Sequence, residues 1–203
     1  MNILTIFLNT YGSLTTELNF SSEFELLVAV LLSAKTTDRM VNIVTKKLFS
    51  IANTPKGLIL AGLPMIKKSI KRIGLFNRKS INIFKICNIL LKKYNGKIPR
   101  NRKDLESLPG IGRKTANVIL NVVFKKKTIA VDTHVFRVCN RTGFATGKTV
   151  FEVEKKLLDF VPSNFKLKCH FLFLMHGRHI CTFYKPKCLK CCISHDCEFK
   201  NKV

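Results

Sequence analysis

A lysine, an aspartate and four cysteines stand in settings where side-chain chemistry is possible. Lys114 follows Leu108-Pro109-Gly110-Ile111-Gly112-Arg113 and opens a helical pattern. A cation in the first turn of a helix opposes the helix dipole at a cost of about 0.3–1 kcal/mol, so a residue placed there against local preference suggests a use. Two uses are open: Arg113 and Lys114 both contact phosphates, or the Lys114 amine is a nucleophile. Only a neutral amine attacks, and a free lysine with a pKa of about 10.4 is neutral in about one molecule in 2,500 at pH 7. The nucleophile reading therefore requires desolvation and a neighbouring cation such as Arg113, and places Lys114 at the mouth of a partly closed pocket.

Asp132 follows Ile129-Ala130-Val131 and precedes Thr133-His134-Val135-Phe136, a new helical pattern. It reads as an N-cap or as a carboxylate facing positive charge that develops on a sugar, and the two can coexist. Contact with Lys114 would raise the lysine's pKa, so a carboxylate that serves an amine nucleophile must act on the sugar from across the pocket.

Cys181, Cys188, Cys191 and Cys197 follow C-x6-C-x2-C-x5-C in a polar, basic loop. Four thiols with no apolar core of their own need a metal centre to hold them. Tetrahedral Zn²⁺ and a [4Fe–4S] cluster both suit the x2 pair. The six- and five-residue gaps do not match paired C-x2-C zinc ribbons and lean toward the cluster. Cys87, Cys139 and Cys169 sit in apolar helical patterns and read as core.

The elements that must position these groups are helices. Arg102 to Leu108 is a short helix that Pro109 stops, two glycines make the turn, and Arg113 to Val123 continues as a helix with Ala116, Ile119, Leu120 and Val123 on one face. Gly110 and Gly112 let backbone approach another object, and the new helix aims N–H groups at it, an arrangement suited to phosphate. Ser22 and Glu25 form a capping box before a helix from Phe24 to Ala34 that is apolar almost all round and belongs in the core. Further helices are expected over residues 1–8, 37–51, 150–160 and 165–179, after Pro55 and Pro64, and from the Ile73-Gly74-Leu75-Phe76 turn to Tyr94. Thr10 to Leu18 reads as a connector. Leu75 or Phe76, if exposed, is a candidate wedge against DNA bases. No segment alternates with period two, so the fold class is all-α.

The 203 residues include 36 Lys+Arg against 12 Asp+Glu, a net charge of +24. A polyanionic partner is the first inference. Lys, Asn, Ile and Phe are abundant everywhere, as an AT-rich genome alone produces, so the sign of the charge carries more weight than its size. No secretory signal is visible at the N-terminus. The longest apolar run, Leu26 to Leu32, is far short of the roughly 20 residues a bilayer span needs. Without a secretory signal, eight cysteines argue for metal or redox chemistry over disulfides.

Together the hairpin Leu-Pro-Gly-Ile-Gly-Arg-Lys-Thr-Ala, the Val131-Asp132-Thr133-His134 stretch and the cysteine loop, in this order and spacing, resemble the endonuclease III family of helix-hairpin-helix DNA glycosylases. The resemblance runs from Thr15 to Cys197. It implies two helical lobes with duplex DNA bound in the cleft between them. One lobe is a helical barrel, residues 16–126, carrying the helix-hairpin-helix at about 102–121. The other comprises 1–15 and 127–203 and holds one [4Fe–4S] cluster in the loop 181–197. It implies a base excision repair enzyme that flips oxidised pyrimidines out of the duplex, with Lys114 attacking C1′ and the resulting Schiff base undergoing β-elimination 3′ to the abasic site. Asp132 stabilises the cationic sugar or assists proton transfer. DNA contacts are expected from Gly110, Gly112, Arg113, Thr115, Lys35 and Leu75, and from Lys185, Lys187 and Lys190 on the cluster loop. A monomer of bacterial type, cytoplasmic at the nucleoid and without a membrane partner, is implied.

Some positions depart from the family pattern. Lys35 stands where the family carries a glutamine that fills the gap left by the flipped base. Lys125-Lys126-Lys127 replaces a less charged turn, and Cys192 is extra. Monofunctional relatives share the cluster and the aspartate but lack the lysine, so Lys114 argues against them. A non-catalytic DNA-binding module would tolerate Lys114→Ala. An iron–sulfur electron carrier would not need the DNA-type hairpin.

Overall fold

A computed structural model of the chain describes residues 3–12 and 15–202. Ten α-helices run in order: α1 Ile3–Tyr11, α2 Glu23–Leu32, α3 Asp38–Ile51, α4 Pro55–Ser69, α5 Phe76–Tyr94, α6 Arg102–Glu106, α7 Arg113–Val122, α8 Thr133–Thr142, α9 Val150–Phe160 and α10 Lys166–His179. No strand occurs among the described residues, and none of their helices is long and apolar enough to cross a membrane. The chain divides into two compact units, Glu17–Phe124 and Met1–Thr16 with Lys125–Val203.

In the first unit α2 is buried from Phe24 to Leu32, because a helix apolar on every side finds solvent nowhere favourable. Helices α3, α5 and α7 pack around it. Ser22 Oγ accepts the Glu25 N–H at 3.1 Å, and the Glu25 carboxylate accepts from the Ser21 N–H at 2.6 Å. The capping box thus closes one residue earlier than its usual partner. Thr37, not Asp38, caps α3, accepting from the Met40 N–H. The helices expected after Pro55 and Pro64 are continuous except at Gly62, whose φ of +80° breaks the helical path.

In the second unit Leu4 and Phe7 of α1 enter a core with Val135 and Val138 of α8, Val153 and Leu157 of α9, and Leu172 and Phe173 of α10. Phe7 meets the Phe173 ring edge-on at 5.3 Å. This packing carries α1 on to Tyr11, so Thr10 and Tyr11 are helical and not part of a connector. Met1, Asn2, Ser13 and Leu14, within the expected first helix and connector, lie outside the described residues.

Candidate active site and cysteine loop

In the first unit, α6 is capped by Asn101, whose Oδ1 accepts the Asp104 N–H at 2.9 Å. It ends at Glu106, two residues before the expected stop, where the Ser107 N–H bonds back to the Lys103 carbonyl at 3.1 Å. The Ile111 N–H then closes the turn on the Leu108 carbonyl at 3.1 Å. Gly110 has φ +81°, and a Cβ there would lie 2.5 Å from Asn82 Nδ2. The left-handed backbone requires glycine, while the Asn82 amide is a side-chain end that could move aside. Gly112 is the N-cap of α7, and a Cβ on it would have nothing within 4 Å, so the hairpin is open on that side.

Helix α7 buries Ala116 to Asn121 against α2. Burial begins only after the first turn: Arg113 and Thr115 are half-buried and Lys114 is exposed.

Lys35 and Leu75 are both exposed and both left-handed, with φ of +55° and +59°. Non-glycine residues in that region cost roughly 1–2 kcal/mol. Between the two wedge candidates the structure separates roles. Leu75 is 59 % exposed, whereas Phe76 is half-buried under the Lys67 ammonium, 5.9 Å from its ring centre. The Lys35 loop is held by a residue that sequence reasoning missed. Lys79 is 5 % exposed and its Nζ donates to the carbonyls of Leu32 at 2.9 Å and Ala34 at 2.6 Å and to Thr36 Oγ1 at 3.1 Å. It supplies donors to carbonyls that the end of α2 leaves without helical partners. Burial pulls its pKa below the usual lysine range. No local signal distinguishes Lys79 from the surface lysines of α5.

In the second unit Asp132 caps α8. Its Oδ1 accepts the N–H groups of both His134 and Val135 at 2.9 Å. The stretch leading to it is pinned by buried His170, whose Nδ1 donates to the Ala130 carbonyl at 2.8 Å.

Cys181, Cys188, Cys191 and Cys197 all line one cavity, together with His176 and the apolar side chains of Ile180, Pro186, Ile193 and Phe199. Cys192 is exposed and lies outside that lining. A 3₁₀ turn, Cys188–Lys190, and bonds from the Cys191 N–H to the Cys188 carbonyl and from the Ser194 N–H to the Cys191 carbonyl, each 3.1 Å, curl the loop around the cavity. Burial pushes the Cys191 thiol up to about 11, so without a metal ion it carries its proton. Lys185, Lys187 and Lys190 are exposed on this loop.

Two arginines of α8 that sequence reasoning also missed hold the loop. Arg137 donates to the carbonyls of Cys181 at 2.9 Å and Gly177 at 2.8 Å. Arg141 donates to those of Thr182 at 2.6 Å and Phe183 at 2.9 Å and contacts Cys181 Sγ at 3.6 Å. Their four-residue spacing was a visible signal, since it puts both on one face of a helix.

A model of the HhH-GPD superfamily of base excision DNA repair proteins matches residues 28–163. The chain is 64 % identical to endonuclease III of Buchnera aphidicola subsp. Baizongia pistaciae over 200 residues, covering 98 % of this chain and 93 % of that one. It is 57 % identical to endonuclease III of Escherichia coli K12 over 189 residues, covering 93 % and 90 %. Its fold is similar to that of a trapped endonuclease III–DNA covalent intermediate, with a TM-score of 0.91 and 42 % identity, covering 96 % of this chain and 92 % of that one.

Proposed function

The chain belongs to the endonuclease III family of the HhH-GPD superfamily of base excision repair DNA glycosylases, and from that premise we propose that Lys114 and Asp132 carry its chemistry on damaged duplex DNA. The observation that carries the reading is Lys114 itself: an exposed amine on the first turn after a hairpin whose Gly112 side is open. The neighbouring solved structure is a covalent endonuclease III–DNA intermediate, and covalent capture requires a nucleophile.

The substrate is duplex DNA containing an oxidised pyrimidine or an abasic site. With the base flipped out of the stack, the Lys114 Nζ lone pair forms a bond to C1′. The bond from C1′ to the base nitrogen breaks, and the base leaves with that electron pair and gains a proton. Opening of the sugar ring leaves an imine between Nζ and C1′. Loss of a proton from C2′ then expels the 3′ phosphate, a β-elimination that nicks the strand 3′ to the abasic site. The Asp132 carboxylate faces the positive charge that develops on the sugar, where a fixed anion lowers the barrier. Gly110, Gly112, Arg113 and Thr115 take a DNA phosphate at the start of α7. Lys35 and Leu75 meet the strands near the flipped nucleotide, and Lys185, Lys187 and Lys190 meet the backbone at the nucleoid.

The cysteine loop holds a [4Fe–4S] cluster on Cys181, Cys188, Cys191 and Cys197. All four line one cavity, and the six- and five-residue gaps around the x2 pair suit a cluster, which would share the thiolates among several irons, better than a paired C-x2-C zinc ribbon. When bound, the cluster crosslinks the loop and adds a one-electron couple.

Borohydride trapping tests the reading. Wild type mixed with a duplex carrying one abasic site should give a covalent complex on a denaturing gel, and Lys114→Ala should give none. Release of a damaged base without trapping in either protein would make the enzyme monofunctional. Absence of both would leave a DNA-binding module.

A further inference from the structure

Buried against the cysteine loop lies a histidine that the proposed chemistry does not use. His176 is 1 % exposed. Phe7 stacks on its ring at 4.4 Å and 25°, which fixes the imidazole plane. One ring nitrogen, Nδ1, is 2.8 Å from the Tyr11 hydroxyl, and the other, Nε2, is 3.6 Å from Cys191 Sγ. A neutral imidazole carries one N–H.

Cys191 bound to iron is a thiolate, which only accepts. The N–H must then sit on Nε2, and Nδ1 must accept. Tyr11 is the group that makes this tautomer favourable, because its hydroxyl donates to the Nδ1 lone pair, which is otherwise buried without a donor. The opposite tautomer would set the Nε2 lone pair against a thiolate. Resting on the cluster reading above, we propose that Tyr11 of α1 is a positioning residue for the cluster: by donating to His176 Nδ1 it holds an N–H on Cys191 Sγ and raises the cluster's reduction potential. A donor to a cluster sulfur stabilises the more negative, reduced form and so raises the potential. The other sulfur with a side-chain donor, Cys181, is met by the Arg141 guanidinium, which is permanently charged and has no tautomer to choose.

The test compares wild type, Tyr11→Phe, His176→Gln and the double variant, all purified anaerobically as full-length holoprotein. Iron and acid-labile sulfide are counted first, and the one-electron potential is then measured by film voltammetry without DNA. Tyr11→Phe keeps the ring and its contact with Phe7 and removes only the hydroxyl. Its potential should fall by the equivalent of a three- to tenfold change in the one-electron equilibrium, about 30–60 mV at about 59 mV per decade. His176→Gln presents an amide N–H that needs no tautomer, so adding Tyr11→Phe to it should move the potential no further. An unchanged potential in Tyr11→Phe overturns the inference, as does an equal fall in the His176→Gln background. So does Tyr11→Phe failing to take up iron while His176→Gln does, since that would make the hydroxyl a structural support and not a tuning group. Wild type without iron or sulfide would instead overturn the cluster reading itself, and the inference with it.

Discussion

The Arg137 Nε donates to the carbonyl of Cys181 at 2.9 Å, tying the helix that Asp132 caps to the first residue of the cysteine loop. Arg141, one turn further on, holds the next two carbonyls. The loop is thus fastened to α8, and α8 starts at the residue proposed to face the sugar.

Arg137→Lys should lower stability by about 2–4 kcal/mol and speed cluster loss to a chelator, because hydrogen bonds from a charged donor are worth about 1.5–3 kcal/mol each. An ammonium cannot reproduce the fork that reaches the Cys181 and Gly177 carbonyls together. Thermal melts followed at the cluster absorbance and in the far-ultraviolet check this. A lysine variant that melts with wild type and keeps its iron equally long would refute it.

Asp132 separates into a cap and a catalyst by substitution. Asparagine keeps an oxygen for the His134 and Val135 N–H groups, so Asp132→Asn should stay within about 1 kcal/mol of wild-type stability. It loses the charge, and base release should drop by about 100-fold or more. Asp132→Ala should lose the activity and also about 0.5–2 kcal/mol. Urea unfolding beside single-turnover base release distinguishes these, and full activity in Asp132→Asn would reduce Asp132 to a cap.

Lys79→Met should cost about 2–4 kcal/mol, since it strips the donor from the Leu32 and Ala34 carbonyls at the end of a buried helix. The loop should also loosen locally. Limited trypsin digestion should cut after Lys35 faster in the variant than in wild type under native conditions. Equal cutting rates would show that the loop holds its left-handed residue without Lys79.

Cys87 gives the alkaline limb of stability a defined sign. Burial pushes its thiol up to about 12 from an ordinary value of 9.0. The folded state therefore holds this proton more tightly than the unfolded chain. The stabilisation is fully present below about pH 9 and is lost as pH rises toward 12, at about 1.4 kcal/mol per unit. Cys87→Ala should start lower by about 1 kcal/mol near neutrality, through lost packing, and then gain on wild type as pH climbs. Urea midpoints of both proteins from pH 7 to 10.5 test this, and parallel curves would contradict it.

Much of the fold was legible because its signals are local. Ser22 with Glu25, Thr37 with Met40 and Asp132 with Val135 are caps that act over three residues. The all-round apolar run of α2 admits only a central place. Gly110 and Gly112 marked the hairpin, and the three gaps between the four cysteines marked residues that line one cavity. The end of α1 was misjudged because Thr10 and Tyr11 look like turn residues until Phe7 and its neighbours dock on α10.

By itself the sequence determined the helical class, the hairpin and the caps, because each depends on neighbours within about one helical turn, and it nominated by type and spacing the residues that could do chemistry. Only the tertiary structure decided which of those residues are held, and by what. Lys79 reaches carbonyls 45 and 47 residues away, Arg137 one 44 away, and Tyr11 a ring nitrogen 165 away. It also decided that Lys114 is exposed, on the first turn of α7, ahead of the buried stretch Ala116 to Asn121. A long polar side chain has several acceptors open to it in an extended chain. Which one it takes is settled by the helix face that burial selects, and that choice is made by packing across the whole unit.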